Sequence, residues 1–207
     1  MARQREEISL RPLPFSGAAF YALIFWGAYL LWMLAETIAL IRKRSSGASM
    51  ARDQGSLALL YILIWVALGL GFSLPFLLPQ AAIEWRRTWV FFLGISLMLA
   101  GIALRWYCMA VLGRYFTFDV AVHAGQSVIE TGPYRYVRHP SYSGGLLTLL
   151  GFGLALGNWA ALLAVIVCMA IAYAYRIRVE EAALVAALGE PYVDYMRRTW
   201  RLVPFVF

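Results

Sequence analysis

Charge is scarce in this chain: Asp, Glu, Lys and Arg supply 14% of its 207 residues, while hydrophobic residues supply 62% and the mean hydropathy is +0.70. No single water-soluble core covers that much apolar surface, so a soluble globular domain is excluded and an integral membrane protein is expected. Cysteine occurs only as Cys108 and Cys168, both inside apolar segments. Their number and spacing exclude a disulfide framework or a metal site, and they read as buried small hydrophobes. Histidine is equally rare, with His123 and His139 alone. No internal repeat is evident, and no charge stands at a bilayer midplane, which counts against a transporter.

What the chain has instead is a series of apolar runs. The first, near Phe15 to Ile41, exceeds the roughly 20 residues that cross a hydrocarbon layer. It is too long for a signal peptide and shows no cleavage-site pattern, so it is expected to remain as a membrane helix. Helices are expected at about 16 to 42, 56 to 78, 89 to 112, 142 to 156 and 159 to 177, giving an all-α membrane protein of about five spans. The fourth and fifth are joined by little more than Gly157 and Asn158, which implies an antiparallel hairpin. Its first arm carries Gly144, Gly145, Gly151, Gly153 and Gly157 and is smooth enough for close packing, with Gly153 and Gly157 as a GxxxG pair. Trp85, Trp89, Trp106, Tyr107 and Trp159 fall where interfacial aromatic belts belong.

Beyond the last span, Glu180 to Leu188 is expected to continue as helix until Gly189, and Pro191 suits the first turn of a short helix over Tyr192 to Thr199. The tail Arg-Leu-Val-Pro-Phe-Val-Phe is apolar enough to lie against the membrane face. The formal charge of +7 resides in arginines at the ends of apolar segments rather than along a soluble face, so no nucleic-acid partner is expected. Five spans place twelve Lys and Arg residues on one side and five on the other. The richer side is then cytoplasmic and the N-terminus external.

Two polar clusters interrupt this pattern. Residues 132 to 145 read Gly-Pro-Tyr-Arg-Tyr-Val-Arg-His-Pro-Ser-Tyr-Ser-Gly-Gly, and they close a polar, Gly- and Pro-punctuated connector over 113 to 141. A long connector of this kind tends to be functional. Within it, Arg138 beside His139 favours anions, and Pro140 fixes an extended approach to the fourth span. The second cluster holds Arg176, Arg178, Glu180 and Glu181, where Arg176 and Glu180 are spaced i,i+4 and Arg178 and Glu181 i,i+3. One reading is a pair of interfacial salt bridges with snorkelling arginines. The other is a site for a cationic ligand, because two adjacent carboxylates repel unless something cationic partners them. Glu36 and Arg105 are expected to snorkel or pair near the cytoplasmic surface, or Arg105 to face a cavity.

The run Gly-Pro-Tyr-Arg-Tyr-Val-Arg-His-Pro-Ser-Tyr, then Arg-Ile-Arg-Val-Glu-Glu-Ala-Ala-Leu, then Gly-Glu-Pro-Tyr-Val-Asp-Tyr, resembles the isoprenylcysteine carboxyl methyltransferases and their phospholipid methyltransferase relatives. The resemblance covers the C-terminal half from Leu112 onward, and Gln126 stands where many relatives carry a histidine. It implies a single membrane methyltransferase domain, with N-terminal spans over 1 to 111 and a cofactor-binding, catalytic half over 112 to 207. The implied cofactor is S-adenosylmethionine, held without a Rossmann domain, and no GxGxxG follows a strand here. Carried over by position, Gly132, Tyr134, Arg138, His139, Pro140 and Tyr142 help form the cofactor pocket, and Glu180 and Glu181 complete it. A glutamate is expected to hold the ammonium or ribose hydroxyls, and His139 or Tyr142 the polar tail. Arg138 and Arg176, with Arg178 as substitute, are the candidates for orienting a substrate carboxylate; Glu181 joins them in the catalytic set.

The implied acceptor is a lipophilic carboxylate such as a prenylated cysteine, entering sideways from the bilayer with the glycine-lined fourth helix as a tunnel wall. Rival acceptors are a phospholipid amine, a small thiol or a phenol, and a non-enzymatic scaffold or transporter is the alternative of another class. The C-terminus lacks a CaaX box, so the chain is not itself expected to be prenylated.

Overall fold

A bilayer offers the backbone no hydrogen-bond partner but itself, so the apolar runs fold as helices. The computed structural model describes residues 13, 19–42, 53–118, 120 and 127–203. It contains α1 (Ala19–Arg42), α2 (Ser56–Leu77), α3 (Arg87–Leu112), α4 (Pro140–Ala155), α5 (Trp159–Leu188) and α6 (Glu190–Arg198). Among the described residues there is no strand, only isolated bridges joining Ala82 to Asn158 and Val137 to Trp200. The helices α1, α2, α3 and α5 are each long and apolar enough to cross a membrane. The 16 residues of α4 rise only about 24 Å. All five expected helices are therefore present, four of them of spanning length.

Glycine decides how α3 and α4 meet. A Cβ placed on Gly94 would lie 2.6 Å from the carbonyl oxygen of Gly151, and one on Gly144 would lie 2.8 Å from the amide nitrogen of Arg105. The two backbones touch along this seam, an approach that side chains would prevent. The expected GxxxG pair is not the seam. Gly153 packs on Leu162 of α5, and Gly157 lies in the turn at φ +66. The hairpin itself forms as expected: the Asn158 side chain accepts from Ala161 N at 3.0 Å to cap α5, and its amide donates to Leu78 O at 2.9 Å. Aromatic rings from three helices fill the centre, with Phe72 edge-on to Phe152 at 5.3 Å and Phe25 fully buried. Cys108 and Cys168 are both free and buried.

At the other end of the bundle, the C-terminal ends of α1, α3 and α5 converge with the N-terminal ends of α2 and α4. The chain's last described residues close this end. Trp200 N donates to Tyr136 O at 3.0 Å, Arg138 N to Trp200 O at 2.7 Å, and His139 N to Arg201 O at 3.0 Å. Ser143 adds a hydroxyl bond to Leu202 O. Residues 200–202 thus strap the connector rather than lying free along the membrane face; residues 204–207, with His123 and Gln126, lie outside the described residues.

Candidate active site

Three buried arginines organise the polar end, and each has a carboxylate. Arg176, whose side chain is 2% exposed, meets Asp53 through Nη1. Its Nη1 also donates to Ser56 Oγ at 2.6 Å, its Nη2 to Phe118 O, and its Nε to the Tyr142 hydroxyl at 3.2 Å. Asp53 in turn accepts from Leu57 N and from Ser56 Oγ, both at 2.9 Å, fixing the start of α2. Burial raises the pKa of Asp53, but the Leu57 amide, the Arg176 charge and the Ser56 hydroxyl outweigh it and hold the carboxyl below its usual value.

Arg138 donates from Nε to Glu181 at 2.9 Å and from Nη1 to the carbonyls of Met196 (2.7 Å) and Thr199, so it ties the connector to the strap. Glu181 is also reached by Arg201 at 3.2 Å and lies 3.4 Å from His139 Nε2. Arg105 binds Glu36 in bidentate fashion, Nε to Oε1 at 2.6 Å and Nη2 to Oε2 at 3.0 Å, while its Nη1 reaches Ser141 Oγ at 3.1 Å. Such forked pairs are the strong form of this interaction.

Glu180 is different. It accepts from the Tyr142 hydroxyl at 2.6 Å and lies 3.8 Å from His139 Nδ1, and among the described residues no arginine pairs with it. His139, with a side chain 3% exposed, stacks on Tyr142 at 5.5 Å, and Tyr142 stacks on Tyr173 at 5.1 Å. His139 Nε2 is buried without a hydrogen-bond partner among the described residues. The phenols of Tyr134 and Tyr192 are pushed up, first by burial and then by nearby groups that include Glu180, and both remain protonated donors at neutral pH. The Tyr195 hydroxyl donates to Tyr134 O at 2.6 Å and anchors α6 beneath the connector.

Two cavities meet here. The first, about 110 Å³, is lined on its polar side by Tyr134, Arg138, His139, Tyr142, Arg176 and Glu180. The second, about 330 Å³, lies among α1, α2, α4 and α5 between apolar side chains such as Trp32, Ile64, Leu68 and Leu149. Arg105 and Tyr142 line both.

Six of the residues singled out in the sequence therefore share one cavity, and four do not line it. Gly132 turns the connector at φ +56 against Tyr107, a conformation that glycine tolerates. Pro140 begins α4, and Glu181 stands behind His139 and Arg138. Arg178 is exposed, because two residues on from Arg176 is about 200° around a helix. The expected pairings also change. Arg176 reaches Glu180 only through the Tyr142 hydroxyl, and Glu181 takes Arg138 and Arg201 instead of Arg178. Asp53, Ser141 and the weight of Arg105 were not foreseen. Asp53 carries a signal in retrospect: an Asp three residues before a Ser at the head of an apolar run is a helix-start pattern.

This arrangement of a Gly-Pro-Tyr…Arg-His-Pro connector over an Arg…Glu-Glu helix finds its counterpart among known proteins. The model of the isoprenylcysteine carboxyl methyltransferase (ICMT) family matches residues 93–186. The chain is similar to protein-S-isoprenylcysteine O-methyltransferase B of Arabidopsis thaliana, 32% identical over 123 residues, 58% of this chain and 62% of that protein. It is similar to the protein-S-isoprenylcysteine O-methyltransferase of Schizosaccharomyces pombe, 32% identical over 109 residues and 46% of each chain. It is also similar to the cobalt-zinc-cadmium resistance protein CzcN of Cupriavidus metallidurans, 31% identical over 122 residues, 58% of this chain and 54% of that one. The solved structure of the eukaryotic intramembrane Ras methyltransferase ICMT shares the fold at TM-score 0.59 and 24% identity, over 70% of this chain and 52% of that one. The chain thus spans between about half and three fifths of the length of these ICMT relatives, and the residues matched by the family model include the connector, the hairpin and the Glu180–Glu181 step.

Proposed function

We infer that this chain is a membrane carboxyl O-methyltransferase that uses S-adenosylmethionine and acts on a lipophilic carboxylate such as a prenylated cysteine. The observation that carries this reading is the junction of two unlike cavities at Arg105 and Tyr142, one with a wall of charged and hydroxyl side chains and one almost wholly apolar. A water-soluble cofactor and a lipid-bound acceptor need such a junction.

The residues present fit S-adenosylmethionine. Glu180, without an arginine of its own, is suited to the methionine ammonium, and His139, which lines the same cavity, to the polar tail. Bound there, the cofactor supplies an electrophilic methyl group on a sulfonium. An acceptor carboxylate has a pKa of about 3.5 and is already ionised at neutral pH, so no general base is required. What the protein contributes is alignment and exclusion of water.

Arg105 takes the role of orienting the acceptor carboxylate, since it is the arginine that faces the apolar cavity. Arg138 and Arg176 act as positioning residues, the first through the strap and the second through Tyr142. Glu181 positions His139 and Arg138. The acceptor enters from the bilayer with Gly145 at the cavity wall, and the polar end faces the cytoplasm, in keeping with the arginine asymmetry.

The rival reading is methylation of a phospholipid amine, which needs a base; Glu36 and Glu180 at the cavities are the groups that favour it. The test is transfer of labelled methyl from S-adenosylmethionine to a farnesylated cysteine analogue, scored as alkali-labile label. Arg105→Ala, His139→Ala and Glu180→Ala should each lose transfer, and only the last two should also lose binding of S-adenosylhomocysteine. Retained binding without transfer to the parent's acceptor would redirect the search to amines, thiols and phenols. No binding at all would point to a scaffold or transporter.

A further inference from the structure

Tyr173 stands one turn before Arg176 on α5, with 5% of its surface exposed. Its ring stacks on Tyr142 at 5.1 Å and lines the apolar cavity together with Gly145 and Arg105. The hydroxyls of Tyr134, Tyr142 and Tyr195 each have an acceptor. That of Tyr173 forms no hydrogen bond among the described residues. Phenylalanine would stack in the same way without taking an unpaired hydroxyl out of water.

The facing helix leaves room for this oxygen. A Cβ on Gly145 would lie 2.5 Å from it but 3.6 Å from the ring carbon that bears it, so an alanine there conflicts with the hydroxyl and not with the ring. The same point lies 3.9 Å from Arg105 Nη1. Hydroxyl and guanidinium therefore border one space. Arg105 has little left to offer an acceptor in it. Its Nε and one Nη2 hydrogen go to Glu36, and its Nη1 to the carbonyl and hydroxyl of Ser141, so one of five N–H donors is free. A carboxylate has two oxygens and about four lone-pair positions, more than a single N–H can hold in one orientation.

We propose that the Tyr173 hydroxyl is the second donor to the acceptor carboxylate, and that Gly145 gives it room. This rests on the reading of Arg105 as the group that orients that carboxylate. A phenol has an ordinary pKa of about 10 and is protonated at neutral pH. Its O–H holds one carboxylate oxygen. The other oxygen forms the bond to the methyl carbon as the methyl–sulfur bond breaks and its electron pair stays on sulfur. No proton moves, and the held oxygen becomes the ester carbonyl. The arrangement also selects the acceptor. A neutral amine has a single lone pair, which a donor would occupy in place of the methyl group, whereas a carboxylate has lone pairs for both.

The test is Tyr173→Phe in the full chain, purified in detergent. Dissociation constants with saturating S-adenosylhomocysteine are measured for N-acetyl-S-farnesylcysteine and for the corresponding alcohol, which lacks the charge and the second oxygen. Loss of a bond to a charged group should weaken the acid by about tenfold or more and weaken the alcohol by less. The value of kcat/KM for methyl ester formation should fall at least as far as acid binding does. Binding of S-adenosylhomocysteine itself should stay within about twofold. Gly145→Ala should resemble Tyr173→Phe, and combined with it should add less than about twofold, because the atom it collides with is gone. Unchanged acid binding in Tyr173→Phe overturns the proposal, and so does an equal loss for acid and alcohol. An equally large effect of Gly145→Ala in both backgrounds overturns the role of the glycine. If the unsubstituted chain binds S-adenosylhomocysteine yet neither binds nor methylates the acid, the reading of Arg105 falls and this inference falls with it.

Discussion

Asp53→Ala should destabilise the protein more than any surface change, through a pair that joins positions 123 residues apart. The substitution leaves the Arg176 guanidinium buried with only neutral partners, Ser56, Phe118 O and Tyr142. Breaking a buried pair from one side costs about 3–5 kcal/mol. Asp53 also accepts from Leu57 N at the start of α2, and loss of such a hydrogen bond costs about 1 kcal/mol. Arg176 keeps three polar contacts, so the lower end applies and the sum is about 4 kcal/mol. For a chain of this size that corresponds to a fall in Tm of about 8–16 °C. The assay is thermal unfolding in detergent, read by intrinsic fluorescence. Replacing both partners with Asp53→Ala and Arg176→Met should recover at least about half of the loss, because an apolar replacement carries no orphaned charge. A single variant that melts within about 2 °C of the parent would refute the reasoning, as would a double variant no better than the single.

The same carboxylate gives a pH dependence. Its folded pKa is held below the usual value, so its contribution is present above about pH 4 and lost as pH falls through the lowered value; the Tm gap between parent and Asp53→Asn should shrink accordingly. Gly94→Ala should cost about 1–3 kcal/mol by forcing α3 from α4, whereas Gly27→Ala, with nothing within 4 Å of the added Cβ, should leave the melt unchanged or raise it. Arg105→Ala should lower kcat/KM for a carboxylate acceptor by about 100-fold or more, while Arg178→Ala, at an exposed position, should leave it within about twofold.

Much of this architecture was legible because a membrane imposes it. The helix limits follow from apolar length, and the Gly157–Asn158 turn could only make a hairpin. The polar residues that share a cavity were legible through their motif. Their partners were not, since Glu36 and Arg105 are 69 residues apart and Asp53 and Arg176 farther still. Helical spacing put Arg176 beside Glu180, yet the Tyr142 hydroxyl comes between them from another helix. Spacing along one helix cannot reveal an intruder from its neighbour. The glycines misled for a similar reason: Gly153 and Gly157 fit a pattern, but Gly94 and Gly101 on the facing helix determine which glycines of α4 are used.

The strap over residues 200–202 has a consequence for biogenesis. Arg138 leaves the ribosome some sixty residues ahead of the carbonyls that fix it, those of Met196, Thr199 and Trp200. All of the long helices can be inserted into the bilayer while that guanidinium still waits for them. Maturation is therefore divided into membrane integration first and completion of the pocket last. A chain cut back to Leu188 would keep every long helix and still lack the carbonyls that fix Arg138.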